Sequence, residues 1–525
     1  MPAGPLAGTA IALLCLACTG PLGLAQTPEE DTVMDIDDRR ELFVTPALID
    51  QREGDIRLML HHPRRENVVL RADKPWEGNM AYMYVTVFRD GDVCRMYYKA
   101  SHVDVAAMAG GGQAAADNPE VRVCYAQSRD GITWEKPDLG LYEFQGSKQN
   151  NIVWLGDGPD QKGVHGFAPF RDRRPDCPDA ERYKALGAIR DATKGDMYAM
   201  ASPDGIHWWL LQREPVLRQN VDGKFDSQNV AFWDTHRGEY RMYFRDVHGE
   251  NYAKGYRGIK TARSDDFREW TDLQWLDFGD APTEQLYTNQ VQPYPEAPHL
   301  LVGFPARYVE RPWSATIEAL PETEHRRWRA AINPRFGTAI TDTLFMASRD
   351  GRRFHRFGEA FLRPGPQQTG NWAYGDNYMA WGMIRTPASL TGAPDELSLY
   401  ANEGYWRGEH SRIRRLTLRR DGFASLHAGA AGGSITTPPV HFTGIQLRLN
   451  IATSAAGGVR VALLDASRVP LPGYGVDDCD LILGNELDRV VTWQGQGDVS
   501  ALAGQPIRLR FALQDADVYA FGFVR

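Results

Sequence analysis

A short turn motif occurs in four copies along the middle of the chain and constrains the fold more than any other feature. The copies begin at Ser128, Ser202, Ser264 and Ser348, and the first two share the pattern S-x-D-G-x-x-W. A degenerate fifth copy follows at Arg420. The copies lie roughly 60 to 85 residues apart, a period typical of propellers and other repeat arrays.

The chemistry of the motif favours a tight turn between strands. Its Asp bonds to nearby backbone, its Gly accepts positive φ, and the Trp three positions later packs between neighbouring sheets. Three or four strand-like runs precede each copy, for example at 84–88, 94–99 and 121–127 before the first. Five such units predict a five-bladed β-propeller over residues 76–430.

The composition changes after the Gly/Ala-rich stretch at 429–433, which we interpret as a domain boundary. The alternating runs beyond it predict a C-terminal β-sandwich over residues 431–525, with strands at 446–451, 459–464, 489–493, 507–513 and 518–524. Residues 26–75 are expected to pack on the propeller. The predicted fold class is therefore all-β.

The amino terminus has the pattern of a secretory signal. A short apolar run at 10–17 precedes small residues around Gly23, so residues 1–25 are predicted to be a signal peptide, although no Lys or Arg precedes the run. A lipid anchor on Cys18 is the less favoured alternative. Since no other run is long and apolar enough to span a bilayer, we expect a secreted or periplasmic protein.

Charge and cysteine content exclude several classes of protein. The formal net charge is −9, and Lys and Arg are scattered among acids, which argues against nucleic acid as a partner. The cysteines beyond the predicted signal form no C-x-x-C pair, so we predict no metal cluster. A disulfide between Cys94 and Cys124 and two buried free thiols both stay open. We predict no cofactor, although scattered carboxylates and amides are compatible with a structural Ca²⁺. No feature predicts the oligomeric state.

Together, the predicted signal, the propeller with its S-x-D-G-x-x-W turns and the terminal sandwich resemble the glycoside hydrolases of families 32 and 43. This resemblance implies a carbohydrate substrate and cleavage of glycosidic bonds. The sequence departs from both families, because it lacks the N-D-P-N-G, R-D-P and E-C motifs of family 32. It also lacks the Asp that family 43 places on the first inner strand, here residues 81–86. No catalytic residue therefore carries over.

In a propeller, side chains just before the innermost strand of each blade converge on the central channel, so catalytic carboxylates are expected there. Glycosidic cleavage usually needs two carboxyl groups, and we predict Asp226 and Glu403, with Glu77 and Asp376 as substitutes. Neighbouring amides would keep Asp226 ionised as base or nucleophile. Aromatic neighbours would raise the pKa of Glu403 and suit it to act as the acid. For each of the four, a turn, rim or salt-bridge role is the structural alternative.

Substrate binding is predicted for a wider set of polar and aromatic residues. Arg245, Arg307 and Lys99 lie at corresponding second-strand ends, where they would clamp a carboxylate or sulfate, with ion pairing between blades as the alternative. His165 is either a proton carrier, a hydrogen-bond donor or a packed core histidine. The full predicted set is His165, Asn229, Arg245, Asn289, Gln290, Arg307, Tyr374, Trp406 and Lys99.

Three functional hypotheses follow, with an exported glycoside hydrolase leading. The second is a polysaccharide lyase in which Tyr287, Tyr374 or His165 abstracts the C5 proton beside a uronate. The third is a carbohydrate-binding propeller without catalysis. The basic segment at 325–329 is interpreted as a solvated insertion or as a lid over the pocket.

Overall fold

The structure is a computed structural model that describes residues 33–102, 120–189, 195–221, 223–250 and 254–525. The predicted signal peptide lies outside these residues. The described chain is almost entirely β-strand and turn, with only short helices, so the all-β prediction is confirmed.

Most of the chain forms five antiparallel sheets of four strands each, named I to V in chain order. Sheet I contains Met83–Asp90, Val93–Ser101, Val121–Ser128 and Ile152–Trp154. Sheet II contains His165–Arg171, Tyr183–Ala188, Met197–Ser202 and Trp209–Leu210. Sheet III contains Val230–Asp234, Glu239–His248, Tyr256–Ser264 and Thr271–Trp275.

Each of the last two sheets combines strands that are far apart in the sequence. Sheet IV contains Gln292–Tyr294, Ala297–Gly303, Met346–Ser348 and His355–Arg356. Sheet V contains Ile384–Thr386, Glu396–Glu403, Arg412–Leu418 and, as its outer strand, the N-terminal Arg64–Arg71. Sheet V thus pairs the strand that precedes the other four sheets in the sequence with the strands that follow them.

The recurring turns connect each sheet to its neighbour. In the first copy the Ser128 hydroxyl accepts the Gly131 N–H at 2.8 Å, and Asp130 accepts two further backbone N–H groups. Tyrosines on preceding sheets donate to the turn carbonyls: Tyr97 of sheet I to Gly205, Tyr243 of sheet III to Gly351, and Tyr400 of sheet V to Gly131. The last of these contacts joins sheet V to sheet I.

Glutamines tie the inner edges of the sheets together. Gln290, ahead of sheet IV, donates both to Gln228 and to the carbonyl of Met379, each at 2.7 Å. Gln228, ahead of sheet III, donates in turn to Thr86 of sheet I at 2.9 Å. These buried hydrogen bonds therefore link the segments ahead of sheets III, IV and V to one another and to sheet I.

The C-terminal region forms one six-stranded sheet of long strands rather than many short ones. The predicted strands at 446–451 and 459–464 are one strand, Gln446–Leu464, and those at 507–513 and 518–524 belong to Arg508–Val524. Irregular pairing at the small residues between 453 and 458 bends the strand without ending it. The Gly/Ala-rich stretch expected at the boundary lies inside Ala424–Thr436, so no linker separates the regions.

The N-terminal segment is part of the folded core. Gln51–Leu60 pairs with Ala424–Thr436, and Arg40–Leu42 pairs with Arg508–Val524, while Asn485–Val490 forms the opposite edge of the long-stranded sheet. Met34–Asp37 pairs in parallel with Val440–Phe442.

Three short helices lie between the paired strands Ala306–Val309 and Ile340–Thr343. They are α1 (Ala315–Glu318), α2 (Thr323–Ile332) and α3 (Pro334–Thr338). Single 3-10 turns occur at Pro46–Leu48, Pro75–Glu77, Asp179–Glu181, Gly408–His410 and Ser500–Leu502. Among the described residues no helix has the length and apolar character needed to cross a membrane.

Cys94 and Cys124 are both buried and free. The strand register explains why they do not pair, because Cys94 lies opposite Ser128 and Cys124 lies opposite Tyr98. Of the two open alternatives, the structure shows the free thiols.

Candidate active site

Asp226 is the centre of a polar cluster at the points where the inner strands of sheets I to IV begin. Its carboxylate lies 3.3 Å from His165 Nε2 and 3.2 Å from Arg245 Nη2, and it accepts a hydrogen bond from the Tyr287 hydroxyl at 3.2 Å. Its side chain stays 27% exposed, whereas His165 and Arg245 are buried. The cluster therefore presents one accessible carboxylate held by buried partners.

The partners keep this carboxylate ionised. Burial opposes ionisation, but the charge of Arg245 and the adjacent His165 outweigh it and hold the pKa of Asp226 well below its usual range. Burial and the nearby positive charge of Lys99 lower the pKa of His165, so its imidazole is neutral at pH 7. Burial raises the pKa of Tyr287 to about 12, and the adjacent Asp226 acts in the same direction. The site thus holds a fixed base beside two neutral hydrogen-bonding groups.

Lys99 completes the cluster on the sheet I side. Its ammonium lies 5.7 Å from the centre of the Tyr84 ring, which also contacts His165 at 5.2 Å. Burial lowers the pKa of Lys99 to about 8, although Asp226 acts in the opposite direction. No described carboxylate lies within ion-pair distance of its ammonium.

A glycine permits the close approach of sheets II and III at this point. Gly166, next to His165, has φ of +65°, and a Cβ there would lie 2.2 Å from the Ser227 carbonyl oxygen. Only a residue without a side chain fits such a contact. The short distance between His165 and Asp226 therefore depends on Gly166.

Some residues with strained backbone lie near the same cluster. Tyr84, Gln290, Trp372 and Trp406 all have positive φ, between 49° and 68°. Bulky residues rarely adopt this conformation, and such strain collects at functional sites.

A cluster of aromatic rings surrounds the polar groups. It includes Tyr84, Tyr287, Tyr374 and Trp406, and the helical insertion packs Phe336 of α3 against it. The rings of Phe336 and Tyr374 stack at 5.2 Å. The insertion therefore covers the aromatic cluster instead of extending into solvent.

The basic segment of the insertion faces inward. Arg326 and Arg329 of α2 are buried, at 3% and 1% exposure. Arg329 donates to the Tyr374 carbonyl at 2.9 Å and lies over the rings of Tyr374 and Trp406. Arg326 and Arg329 are therefore packed against the aromatic cluster and are not solvated.

Asp376 is the second acid linked to the aromatic cluster. It accepts the backbone N–H of Tyr405 at 3.0 Å and is 2% exposed. Burial raises its pKa to about 7, against the opposing effects of the Tyr405 hydrogen bond and of Arg329. Asp226 and Asp376 therefore have opposite pKa shifts.

Glu403 does not have the raised pKa that its aromatic neighbours led us to expect. Arg412 lies 2.7 Å and Arg414 2.6 Å from its carboxylate, with Arg65 at 3.8 Å. These hydrogen bonds and charges outweigh burial and lower its pKa. The arginines belong to strands of sheet V adjacent to Glu403 and were not apparent from its neighbours in sequence.

Glu77 is enclosed by donors and is not exposed at all. It accepts the backbone N–H groups of Asp73 and Lys74, the Tyr98 hydroxyl at 2.7 Å, and an ion pair from Lys136 at 2.7 Å. This carboxylate stabilises the turn ahead of sheet I and is not available to a substrate.

Several predicted binding groups are engaged by the protein itself. The guanidinium of Arg307 forms ion pairs with Asp342 at 2.7 Å and with Glu284 at 2.9 Å. Asp342 lies opposite Arg307 on the paired strand, so this ion pair is not the expected one between blades. Asn229 and Asn289 each bridge the backbone of neighbouring strands, and Gln290 forms the glutamine contacts between sheets. The amide side chains of these three residues therefore hold the inner strands in place.

Sequence analysis missed three residues of the site or placed them elsewhere. Tyr84 lies between Lys99 and His165, and Arg257 lies over the rings of Tyr287 and Tyr308 at 5.5 and 4.8 Å. Arg329 was assigned to a solvated insertion. Trp328 in that segment was a signal, since a large aromatic residue is not typical of a purely solvated loop.

Within the part of the chain that the structure describes, no group of three or more His, Cys, Asp or Glu side chains is arranged to hold a metal ion.

Comparisons with known proteins provide distant similarities only. No family model matches the chain. An uncharacterised protein of Mycobacterium tuberculosis strain H37Rv is 27% identical over 179 residues, which is 34% of this chain and 49% of the relative. A second, from strain CDC 1551, is 28% identical over 181 residues. The chain thus spans about half the length of the curated relatives it matches.

Solved structures with a similar course of the chain include several glycoside hydrolases. A family 43 arabinoxylan arabinofuranohydrolase from Bacillus subtilis has a TM-score of 0.40 at 10% identity, covering 86% of this chain and 97% of its own. A fructofuranosidase from Schwanniomyces occidentalis has 0.40 at 10%, covering 89% and 98%. A glycosyl hydrolase from Bacteroides ovatus has 0.42 at 14%, covering 69% and 94%. These values are too low to assign a family or a reaction.

Proposed function

We propose that this chain is an exported glycoside hydrolase whose active site is the Asp226 cluster. Sheets I to V would be the five blades of a propeller, and the long-stranded sheet the accompanying C-terminal β-sandwich. The observation that carries the proposal is the accessible, ionised carboxylate of Asp226, held by Arg245 and His165 beneath an aromatic cluster. Aromatic faces stack on sugar rings, and a fixed carboxylate serves as base or nucleophile at an anomeric carbon.

Asp376 is proposed as the acid. A buried carboxyl group with a pKa of about 7 retains its proton near neutral pH and can transfer it to the departing glycosidic oxygen. Aromatic contacts join the two acids, since the Tyr287 ring lies 6.5 Å from Tyr374, which lies 6.2 Å from Tyr405. Tyr287 donates to Asp226, and the backbone of Tyr405 donates to Asp376.

In the proposed reaction, Asp376 protonates the glycosidic oxygen as its bond to the anomeric carbon breaks. The Asp226 carboxylate either deprotonates the attacking water or first forms a covalent bond to the anomeric carbon, which water then cleaves. In both routes the elements of one water molecule are added across the bond. Arg245 and His165 keep Asp226 ionised and oriented before it reacts.

The test is mass spectrometry of products from a broad glycan panel incubated in ¹⁸O-labelled water. Hydrolysis adds one heavy oxygen to each new reducing end. We expect Asp226→Asn to lower the rate by about 10³-fold, the scale typical of removing a positioned acid or base. Asp157→Asn is the matched control, because it makes the same change at an exposed turn and should keep full activity.

A polysaccharide lyase remains the second candidate because His165 is neutral and lies beside the cations Lys99 and Arg245. A neutral imidazole can abstract the proton next to a uronate whose carboxylate those cations bind. Unlabelled products with a new double bond would overturn hydrolysis in favour of elimination. In that case His165→Gln, rather than Asp376→Asn, would abolish the reaction.

A further inference from the structure

Two buried cations near the candidate active site have no carboxylate partner among the described residues. Lys99 lies at the sheet I side of the Asp226 cluster, and Arg329 is a buried residue of α2. Burying a charged group is costly unless it is paired, so an unpaired buried cation requires an explanation.

Lys99 is 9% exposed, and its ammonium lies 5.7 Å from the centre of the Tyr84 ring. Among the described residues, Asp226 is the acid whose charge acts on it, and that charge is already engaged by Arg245 and His165. One carboxylate therefore faces two full positive charges at this end of the pocket. The cluster has an excess of positive charge before any ligand arrives.

Arg329 shows a similar imbalance in the part of the aromatic cluster next to the insertion. It is 1% exposed, and its Nε has no hydrogen-bond partner among the described residues, while its Nη2 donates to a backbone carbonyl. Asp376 is the carboxyl group whose charge acts on it, and with a pKa of about 7 that group is only partly ionised at neutral pH. Arg326, one turn earlier on α2, donates to three backbone carbonyl groups.

We propose that the saccharide bound at this site is acidic, and that its carboxylate or sulfate group forms an ion pair with Lys99. This inference rests on the proposed function, because it assumes that the site takes a sugar. Lys99 is then a specificity-determining residue, and Arg329 contributes positive potential from the side of the insertion. A neutral sugar would leave both buried cations without an anionic partner.

The experiment is binding of the mature protein to a glycan array that carries neutral saccharides beside their uronate and sulfated counterparts. Calorimetry then measures affinity for the tightest member of each of the three classes. We expect the acidic members to bind at least tenfold more tightly than the matched neutral ones, with affinity falling as salt rises. The uronate and sulfate arms identify which anion is preferred.

Variants assign the preference to a residue. Lys99→Met should lower affinity for the acidic ligand at least tenfold and leave any binding of the neutral counterpart unchanged. Lys148→Met removes the same charge from an exposed loop and should behave as the unmodified protein. If Lys99→Met fails to fold, the array preference and the salt dependence of the unmodified protein decide the question, with Arg329→Gln as the second variant.

The outcomes separate this inference from the proposed function. Acidic sugars that bind through Lys99 without being hydrolysed would support the inference and contradict the hydrolase. Hydrolysis of neutral sugars that depends on Asp226 would support the hydrolase and overturn the inference. Equal affinity for matched acidic and neutral sugars, unchanged preference in Lys99→Met, or no binding to any acidic glycan would each overturn the inference.

Discussion

Asp226 and Glu403 are both carboxylates held by arginine, yet they occupy very different environments. Asp226 lies where the inner strands begin, with Arg245 as its one arginine partner and a side chain that is 27% exposed. Glu403 ends the second strand of sheet V, with three arginines around it and a side chain that is 8% exposed. The pKa of each carboxylate is lowered, so its ionisation alone does not distinguish them.

The two carboxylates differ in whether an oxygen atom remains free to contact a substrate. The hydrogen bonds of Glu403 to Arg412 and Arg414 engage both of its oxygens and tie adjacent strands together. Asp226 has buried partners on one side and an accessible face on the other. A carboxylate saturated by cations stabilises the fold, whereas one held by fewer partners in a strained, aromatic setting is available for chemistry.

The comparison predicts opposite consequences for isosteric changes. Glu403→Gln should lower the free energy of unfolding by about 3–5 kcal/mol, the cost typical of breaking a buried ion pair, because three arginines then lack a charged partner. Asp226→Asn should change it far less, since its side chain is partly solvated. Urea denaturation of both variants measures the two values, and a larger loss for Asp226→Asn would contradict the distinction.

Asp376 sharpens the comparison because its pKa is shifted upward, from 3.8 to about 7. Its folded pKa lies above its unfolded value, so its contribution to stability is fully present below pH 3.8 and is lost as the pH rises towards 7. Asp376→Asn does not titrate. The stability of this variant relative to the unmodified protein should therefore increase with pH, by on the order of 4 kcal/mol at about 1.4 kcal/mol per unit of pKa shift.

Denaturation at several pH values between 4 and 8 measures this difference, since other titrating groups are common to both proteins and cancel. A difference that is flat over this range would show that the Asp376 pKa is not raised. It would also remove the proposed acid from the hydrolase mechanism.

Much of the fold followed from local chemistry in the sequence. The Ser, Asp and Gly of three copies form the expected turns, because those bonds lie within four residues of one another. In the copy at Ser264 the N–H of Phe267 makes the bond that the Gly N–H makes elsewhere. The C-terminal strand boundaries were wrong, because small residues at 454–458 can bend a strand as well as end one. The use of Arg64–Arg71 in sheet V depends on a partner more than 300 residues away, which no local pattern encodes.

The candidate site was predictable to a smaller extent. Asp226, His165, Arg245 and Lys99 were found because each lies near the end of an inner or second strand, where the topology brings residues together. Glu403 was misjudged because its arginines come from across the sheet. The same limit applies to Glu77, whose partner Lys136 lies 59 positions along the chain. Sequence context identified which residues converge but not how many cations each carboxylate meets.

Gly166→Ala is the prediction with the smallest expected effect. It tests how Asp226 is held, because Gly166 sets the distance between His165 and Asp226 without contributing a side chain. Gly166→Ala should reduce stability by about 2 kcal/mol, from positive φ and from the contact with the Ser227 carbonyl oxygen. Gly91→Ala is the matched control, since its φ is +61° and nothing lies within 4 Å of an added Cβ. It should cost about 1 kcal/mol.

The stability lost in Gly166→Ala beyond that lost in Gly91→Ala measures the contribution of the close approach of sheets II and III. The rate of hydrolysis then shows whether this close approach affects activity. Separating His165 from Asp226 removes one of the groups that hold the carboxylate, so the pKa of Asp226 should rise towards its usual range. The acidic limb of the pH–rate profile should then move upward in Gly166→Ala and stay in place in Gly91→Ala. Equal stability losses and unchanged profiles in both variants would show that this close approach has no part in the site.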